Sequence, residues 1–595
     1  MRARLFLKLF FLLFSMTQSV IAIAQNKIAF DVSFSEPQAH YADIKMEISG
    51  LKRDFVDIKM PVWAPGSYLV REFSKNVENV AAVNQSGDQV SVKKINKNTW
   101  RINSAKSEKI TVSYKIYAFE ISVRTSFVDA AHAFLSPTGV FMYVDGLIKN
   151  PVTVTIKPYS TWSKISTGME PQLGLANTFY APDFDILYDS PIEIGNQDIF
   201  EFDAAGVKHE VAMYGGGNYD KERLKIDMAK IAEEETKIFG ENPNKRYVFI
   251  IHNFTAGGGG IEHLNSTVLG ASRFAYGSEA GYKGFLGLVA HEYFHLWNVK
   301  RIRPIELGPF NYDQEVYTSL LWVMEGFTSY YDELMMLRTG YYSQAEYLTK
   351  LQSLINYAEG SVGSRVQPVA HASFDAWIKS YRPNENSANT TMSYYSRGAV
   401  IAAAIDAMII NKYNGTKCLD HFMQHLYKTY YEKLNRGFTV AEFKNELAIF
   451  TGQDMNDFFK KYIDGTEIIP FADYFSKVGV TVKQNALTRA SFGASVQNSG
   501  GKVIIKSIRS NSAAEDAGLS VDDEVIGCNG YRVDQAMLEG IMNGLEVNEE
   551  VELLLSRDEI LFSVKVKITN YTRPQFILTP TNSVEEAAKF NYWLR

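Results

Sequence analysis

The run Phe285-Leu286-Gly287-Leu288-Val289-Ala290-His291-Glu292-Tyr293-Phe294-His295-Leu296-Trp297 sets two histidines and a glutamate inside an almost unbroken apolar segment. Positions i and i+4 of an α-helix share a face, so His291 and His295 can both reach one metal ion. Glu292, lying between them, is then placed to act as general base toward water. Burying two imidazoles and a carboxylate among apolar neighbours is costly unless a partner satisfies them, and a metal would do so. The basic, proline-containing stretch Arg301-Ile302-Arg303-Pro304 predicts the end of this helix, because proline cannot continue it.

A catalytic zinc takes three protein ligands and leaves a fourth position open. The best candidate for the third ligand is Glu325, 30 positions after His295. It lies within Leu321-Trp322-Val323-Met324-Glu325-Gly326-Phe327-Thr328-Ser329-Tyr330-Tyr331-Asp332, where Leu321, Met324, Phe327 and Tyr331 recur at helical spacing. His421 and His425 form a second i, i+4 pair, but the first histidine is not followed by glutamate and no third ligand suggests itself. They are read as one face of a helix.

Glu-Gly-Phe-Thr after a tryptophan resembles the third-ligand helix of the gluzincins, the clan of thermolysin-like enzymes and aminopeptidases. More narrowly, the chain resembles the glycyl aminopeptidase family of zinc metallopeptidases that carry a PDZ domain. The strings behind the resemblance are His291 to Pro304, Leu321 to Tyr331, and the earlier Val62-Trp63-Ala64-Pro65-Gly66-Ser67-Tyr68. It implies one Zn²⁺ held by His291, His295 and Glu325, with Glu292 as the catalytic base.

Two further segments take meaning from the same resemblance. Gly257-Gly258-Gly259-Gly260-Ile261-Glu262-His263 follows the apolar run Tyr247-Val248-Phe249-Ile250-Ile251. Glycines let a backbone approach a ligand closely. The segment is similar to the Gly-x-Met-Glu-Asn segment of related aminopeptidases, which makes Glu262 the anchor for a substrate α-amino group and Gly259 and Gly260 substrate-binding backbone. Ile261 and His263 depart from that pattern, so the amine pocket can differ in shape. Ser393-Tyr394-Tyr395-Ser396-Arg397-Gly398 resembles the Tyr-x-Lys-Gly segment of those enzymes, with Arg397 in place of lysine. The resemblance implies that Tyr395 donates a hydrogen bond to the tetrahedral oxyanion; Tyr394 is the neighbouring alternative.

Composition frames these readings. The 595 residues are 46% hydrophobic and 22% charged, an ordinary globular balance with room for several domains. Arg2, Arg4 and Lys8 lead into an apolar run, and Ala22-Ile23-Ala24 offers a small-x-small cleavage site, so residues 1–24 read as a signal peptide. Removing it takes the formal charge from −6 to −9, which disfavours nucleic acid as a partner. No later stretch approaches the ~20 apolar residues of a membrane span. Cys418 and Cys528 stand far apart and imply no disulfide framework.

The expected architecture is multidomain α+β: an N-terminal β domain over 25–196, a thermolysin-like zinc peptidase domain over 197–410 with a helical part over 411–485, a PDZ domain over 486–570 and a tail over 571–595. Lys27 to Phe34 and Ile110 to Ile116 alternate with period two, as strands do. Val503 to Ile508, then Ala517-Gly518-Leu519 and Asn529-Gly530, resemble the PDZ pattern, with Asp522 where glycine is usual. Ser491-Phe492-Gly493-Ala494 is the expected cradle for the C-terminal carboxylate of a peptide ligand.

The expected function is an exported zinc aminopeptidase, periplasmic or secreted, acting on peptides with a free N-terminus. The resemblance implies glycine or alanine as the residue removed. The rivals are an endopeptidase with the same zinc site and, from another class, a PDZ-based peptide-binding or chaperone protein on an inactive protease scaffold.

Overall fold

Period-two alternation builds the first third of the chain into sheets. The computed structural model describes residues 27–581 and 584–595; the expected signal peptide lies outside the described residues. Strand Lys27–Ser33 turns Ile28, Phe30 and Val32 inward, and Lys109–Tyr117 buries Ile110, Val112, Tyr114 and Ile116. Both belong to an eight-stranded sheet in which Lys27–Ser33 runs parallel to Val152–Lys157 and antiparallel to Tyr41–Ser49. Two four-stranded sheets complete the N-terminal β domain.

A five-stranded sheet follows, ordered Asp198–Ala204, Val207–Tyr214, Arg246–Phe254, Ser266–Ser272 and Gly260–Glu262. Its Arg246–Phe254 strand is buried on both faces, which explains why Tyr247 to Ile251 read as a continuous apolar run rather than an alternation. The short strand Gly260–Glu262 pairs antiparallel with Ser266–Ser272 and forms the edge of the sheet. Helices then dominate to residue 478. The long helices Leu321–Arg338 and Gln344–Gly360 pack on the helix Tyr394–Lys412, which is buried along almost its whole length.

The N-terminal domain is locked to the catalytic domain by buried polar groups. Glu193, fully buried, joins His132 Nδ1 at 2.8 Å to His252 Nε2 at 2.9 Å across the boundary. Asp189 pairs with Lys300 at 2.7 Å, with His263 Nδ1 at 3.0 Å and with the Leu264 amide at 2.7 Å. Burial alone would raise the Asp189 carboxyl, but the Lys300 charge and the His263 bond hold it down at about 2.

Strand Val480–Ser491 pairs along its whole length with Thr569–Pro580, a two-stranded ribbon separate from the PDZ sheet. The chain after 571 is anchored on the helical region. Asn356 binds both the amide and the carbonyl of Phe576, and the helix Val584–Trp593 seats a buried Trp593 whose Nε1 donates to Tyr330 Oη at 2.8 Å. Long-range pairing of this kind leaves no local signal for a sequence reading to use. In the turn before the strand Glu524–Cys528, Asp522 takes φ 68, the left-handed conformation that the usual glycine would supply.

Candidate metal centre and active site

The helix Glu279–Phe294 starts at Ser278, whose hydroxyl caps the Gly281 amide, and carries His291 and Glu292. It stops at Phe294, well before Pro304, with His295 as its C-cap in right-handed backbone geometry. The expectation of a helix running to Pro304 is thus corrected. Asn298 explains the early stop: its fully buried amide donates to the Val323 and Met324 carbonyls and to Thr328 Oγ1 on the neighbouring helix. Arg301 donates to the Leu296 carbonyl left free at the helix end.

Glu325 lies on the helix Leu321–Arg338, which crosses Tyr394–Lys412 at two facing glycines. A Cβ on Gly326 would sit 2.4 Å from Gly398 Cα, and one on Gly398 would sit 2.2 Å from the Trp322 carbonyl. Neither position admits a side chain, and the close crossing brings Glu325 and Tyr395 to one cavity.

There His295 Nε2 lies 3.2 Å from His291 Nε2, and Glu325 Oε2 lies 3.5 Å from His291 Nε2 and 3.3 Å from His295 Nε2. These separations match the edge of a tetrahedron of zinc ligands, about 3.3 Å for bonds of about 2.0–2.1 Å. The other ring nitrogens settle the tautomers. His295 Nδ1 donates to the Asn298 carbonyl at 2.6 Å, and His291 Nδ1 donates to Asp332 at 2.9 Å. In the neutral rings both Nε2 lone pairs therefore face each other and a carboxylate oxygen. Such a donor set holds no proton of its own and fits a divalent cation. Asp332, seven residues beyond Glu325 on the same helical face, orients His291 in the manner of a metal site's supporting carboxylate. Sequence reasoning quoted Asp332 and Asn298 without assigning either; the i+7 spacing was the available signal for Asp332.

Glu292 is 5% exposed, and its Oε2 is buried without a hydrogen-bond partner. Burial pushes its carboxyl up, while His291 and His295 pull against that rise. Gly260 faces it so closely that a Cβ would meet Glu292 Oε1 at 2.3 Å. The last of the four glycines thus makes room for the glutamate.

Glu262, at the end of the edge strand, is also 5% exposed, and no hydrogen bond reaches its carboxylate among the described residues. Gly66, from the N-terminal Trp63-Ala64-Pro65-Gly66 loop, presses on it: a Cβ there would meet Glu262 Oε2 at 2.7 Å. His263 does not line this cavity, because Asp189 holds its ring. Tyr395 lines the cavity and stacks near His291, with ring centroids 6.4 Å apart. Tyr394 is fully buried and does not line it. Burial and the Glu325 charge push the Tyr395 phenol well above its ordinary value, so it remains a donor at neutral pH. Arg397 is a core residue, fully buried against Glu359 and the Glu467 carbonyl. Arg124, which the sequence did not single out, reaches in from the N-terminal domain and donates Nη2 to the Gly260 carbonyl at 2.9 Å.

Comparison with known proteins identifies the family of the chain. The M61 glycyl aminopeptidase model matches residues 284–401, the M61 N-terminal domain model matches 29–196, and the PDZ domain model matches 480–555. Among solved structures, an aminopeptidase N family protein from Idiomarina loihiensis shares 30% identity and a TM-score of 0.88, over 96% of this chain and 100% of that one. An M1 zinc metallopeptidase from Deinococcus radiodurans aligns at 13% identity and a TM-score of 0.48, over 75% of this chain and 95% of that one. No curated protein sequence matches. With its N-terminal β domain, its His291–His295–Glu325 cluster and its PDZ domain all in place, the chain belongs to the M61 glycyl aminopeptidase family.

Proposed function

We propose that this protein is an exported zinc aminopeptidase that removes an N-terminal glycine or alanine from peptides. His291, His295 and Glu325 would hold one zinc ion, which when bound supplies Lewis acidity to water and to the scissile carbonyl. The remaining work falls to the chain's own side chains. Glu262 pairs with the substrate α-ammonium and fixes cleavage one residue from the end. Glu292 takes a proton from the attacking water and hands it to the departing nitrogen, so water adds across the first peptide bond and two shorter products leave. Tyr395 donates its phenolic proton in a hydrogen bond to the oxygen that becomes negative.

The observation that carries the exopeptidase reading is the buried Glu262 carboxylate, without a hydrogen bond among the described residues and capped by Gly66. A negative charge in such a place needs a cation, and a free N-terminus supplies one. An endopeptidase would have no use for it. The resemblance supports small first residues, and a charged leader before Ala22-Ile23-Ala24 supports export. For the PDZ domain, a C-terminal peptide would add along the edge strand Ala494–Ser499 from the Ala494 end. Gln535 already holds the Val496 carbonyl and the Asn498 amide farther along.

The test uses Gly-Ala and Ala-Ala peptides with free and acetylated N-termini. Free peptides are expected to be cleaved and acetylated ones spared, with Glu262→Gln raising KM by about 10- to 100-fold on the free peptides. Equal turnover of acetylated peptides would sink the aminopeptidase reading.

A further inference from the structure

Arg124 brings a positive charge into the metal cavity that the chemistry above leaves unused. Only Nη2 is engaged, by the Gly260 carbonyl; Nη1 makes no hydrogen bond among the described residues, and Nε is buried without a partner. No carboxylate pairs with it among the described residues. Arg71 stands behind it and adds a second charge, itself engaged by Ser67 Oγ at 3.0 Å and by Glu120 at 3.9 Å. Burial and the Arg124 charge both pull the Arg71 guanidinium below its ordinary value. A guanidinium with unfilled donors at the wall of a substrate cavity calls for an anion.

Position identifies which part of a substrate that anion is. Along the edge strand, Glu262 marks the α-ammonium, and Gly260, packed on Glu292, marks the bond being cut. A substrate therefore runs from Glu262 toward Gly260, and Arg124 on the Gly260 carbonyl and beside Gly259 lies just past the scissile bond. From Glu262 to Gly260 is two strand residues, about 7 Å. An extended dipeptide has about the same span between its ammonium and its carboxylate.

We propose that Arg124 receives the C-terminal carboxylate of a short substrate, so that the enzyme is built for dipeptides and tripeptides rather than long chains. The proposal rests on the amine-anchored reading of Glu262. Arg124 is then a substrate-binding residue whose fork matches a carboxylate in two parallel hydrogen bonds.

The experiment compares kcat/KM for Gly-Ala, Gly-Ala-Ala, the C-terminal amide of each, and Gly-Asp amide. Wild type is expected to favour a free acid over its amide by about 10- to 100-fold, mostly through KM. In Arg124→Met that ratio falls toward one, and Arg124→Lys recovers part of it. The wild-type ratio needs no substitution, so the proposal stays testable if a variant folds poorly. Three results would overturn it: equal wild-type rates on acid and amide; an Arg124→Met loss shared equally by both, as expected if Arg124 only props Gly260; or a preference for Gly-Asp amide over Gly-Ala, which would assign the arginine to an acidic side chain. Cleavage of acetylated peptides breaks the amine-anchored reading, whereas loss of the acid-over-amide ratio alone breaks only this one.

Discussion

On the helix Glu279–Phe294 and its cap, His291 and His295 bring their Nε2 atoms within 3.2 Å of each other and within 3.5 Å of one carboxylate. On the helix Leu419–Leu426, His421 and His425 have the same spacing and a different fate. His421 Nδ1 accepts from the Cys418 amide at 3.3 Å, a local cap, and His425 Nε2 pairs with Glu446 at 2.8 Å. Both pairs are permitted by the same helical geometry. What separates them is the second helix opposite the first pair, which supplies Glu325 to the metal face and Asp332 to the outer nitrogen of His291. Spacing creates the opportunity for a metal site, and a crossing helix with a buried carboxylate turns it into one.

The contrast can be broken most strongly at Glu292, the residue that the second pair lacks. Glu292→Gln is expected to lower kcat by about 10²- to 10⁴-fold while bound metal, measured by elemental analysis, stays at the wild-type level. Retained activity would remove Glu292 from proton transfer and leave the two pairs distinguished by metal alone. A middle-sized effect belongs to the outer partners. Asp332→Asn should weaken zinc affinity by about 10- to 100-fold in a chelator competition. The smallest effect is expected at the second pair itself. The double change His421→Gln and His425→Gln should leave zinc content at one equivalent and kcat/KM within about twofold, since the His425–Glu446 contact is partly exposed. A loss of metal there would show that the pair had been misjudged.

The candidate metal ligands were legible because their information is local or nearly so. His291, Glu292 and His295 lie within one turn, and Glu325 repeats the pattern of a carboxylate inside an apolar helical run. The end of the first helix was not legible, because Asn298 leaves it for carbonyls on a helix about 25 residues away in sequence. Arg124 was invisible for the same reason: it joins the cavity from the other domain, 136 positions before Gly260. The strand Thr569–Pro580 read as tail because its partner lies across the whole PDZ domain. Glycines divide along the same line. The run Gly257 to Gly260 announced a special loop, but its reason for ending in glycine, the nearness of Glu292, appeared only on folding.

The sequence by itself determined the helical histidine pair with its intervening glutamate, a carboxylate in a second apolar helix, the β domain before them and the PDZ pattern after. Periodicity and short-range motifs encode all of these, since they depend on which residues share a face of one element. Only the tertiary structure decided that Tyr395 rather than Tyr394 faces the cavity, that Asp332 and Asn298 fix the histidine tautomers, and that Gly66 and Arg124 close the site from the N-terminal domain. These depend on how separate elements dock. Docking follows from the volume that Gly326 and Gly398 leave out and from buried polar groups finding partners across domains, which no single segment records.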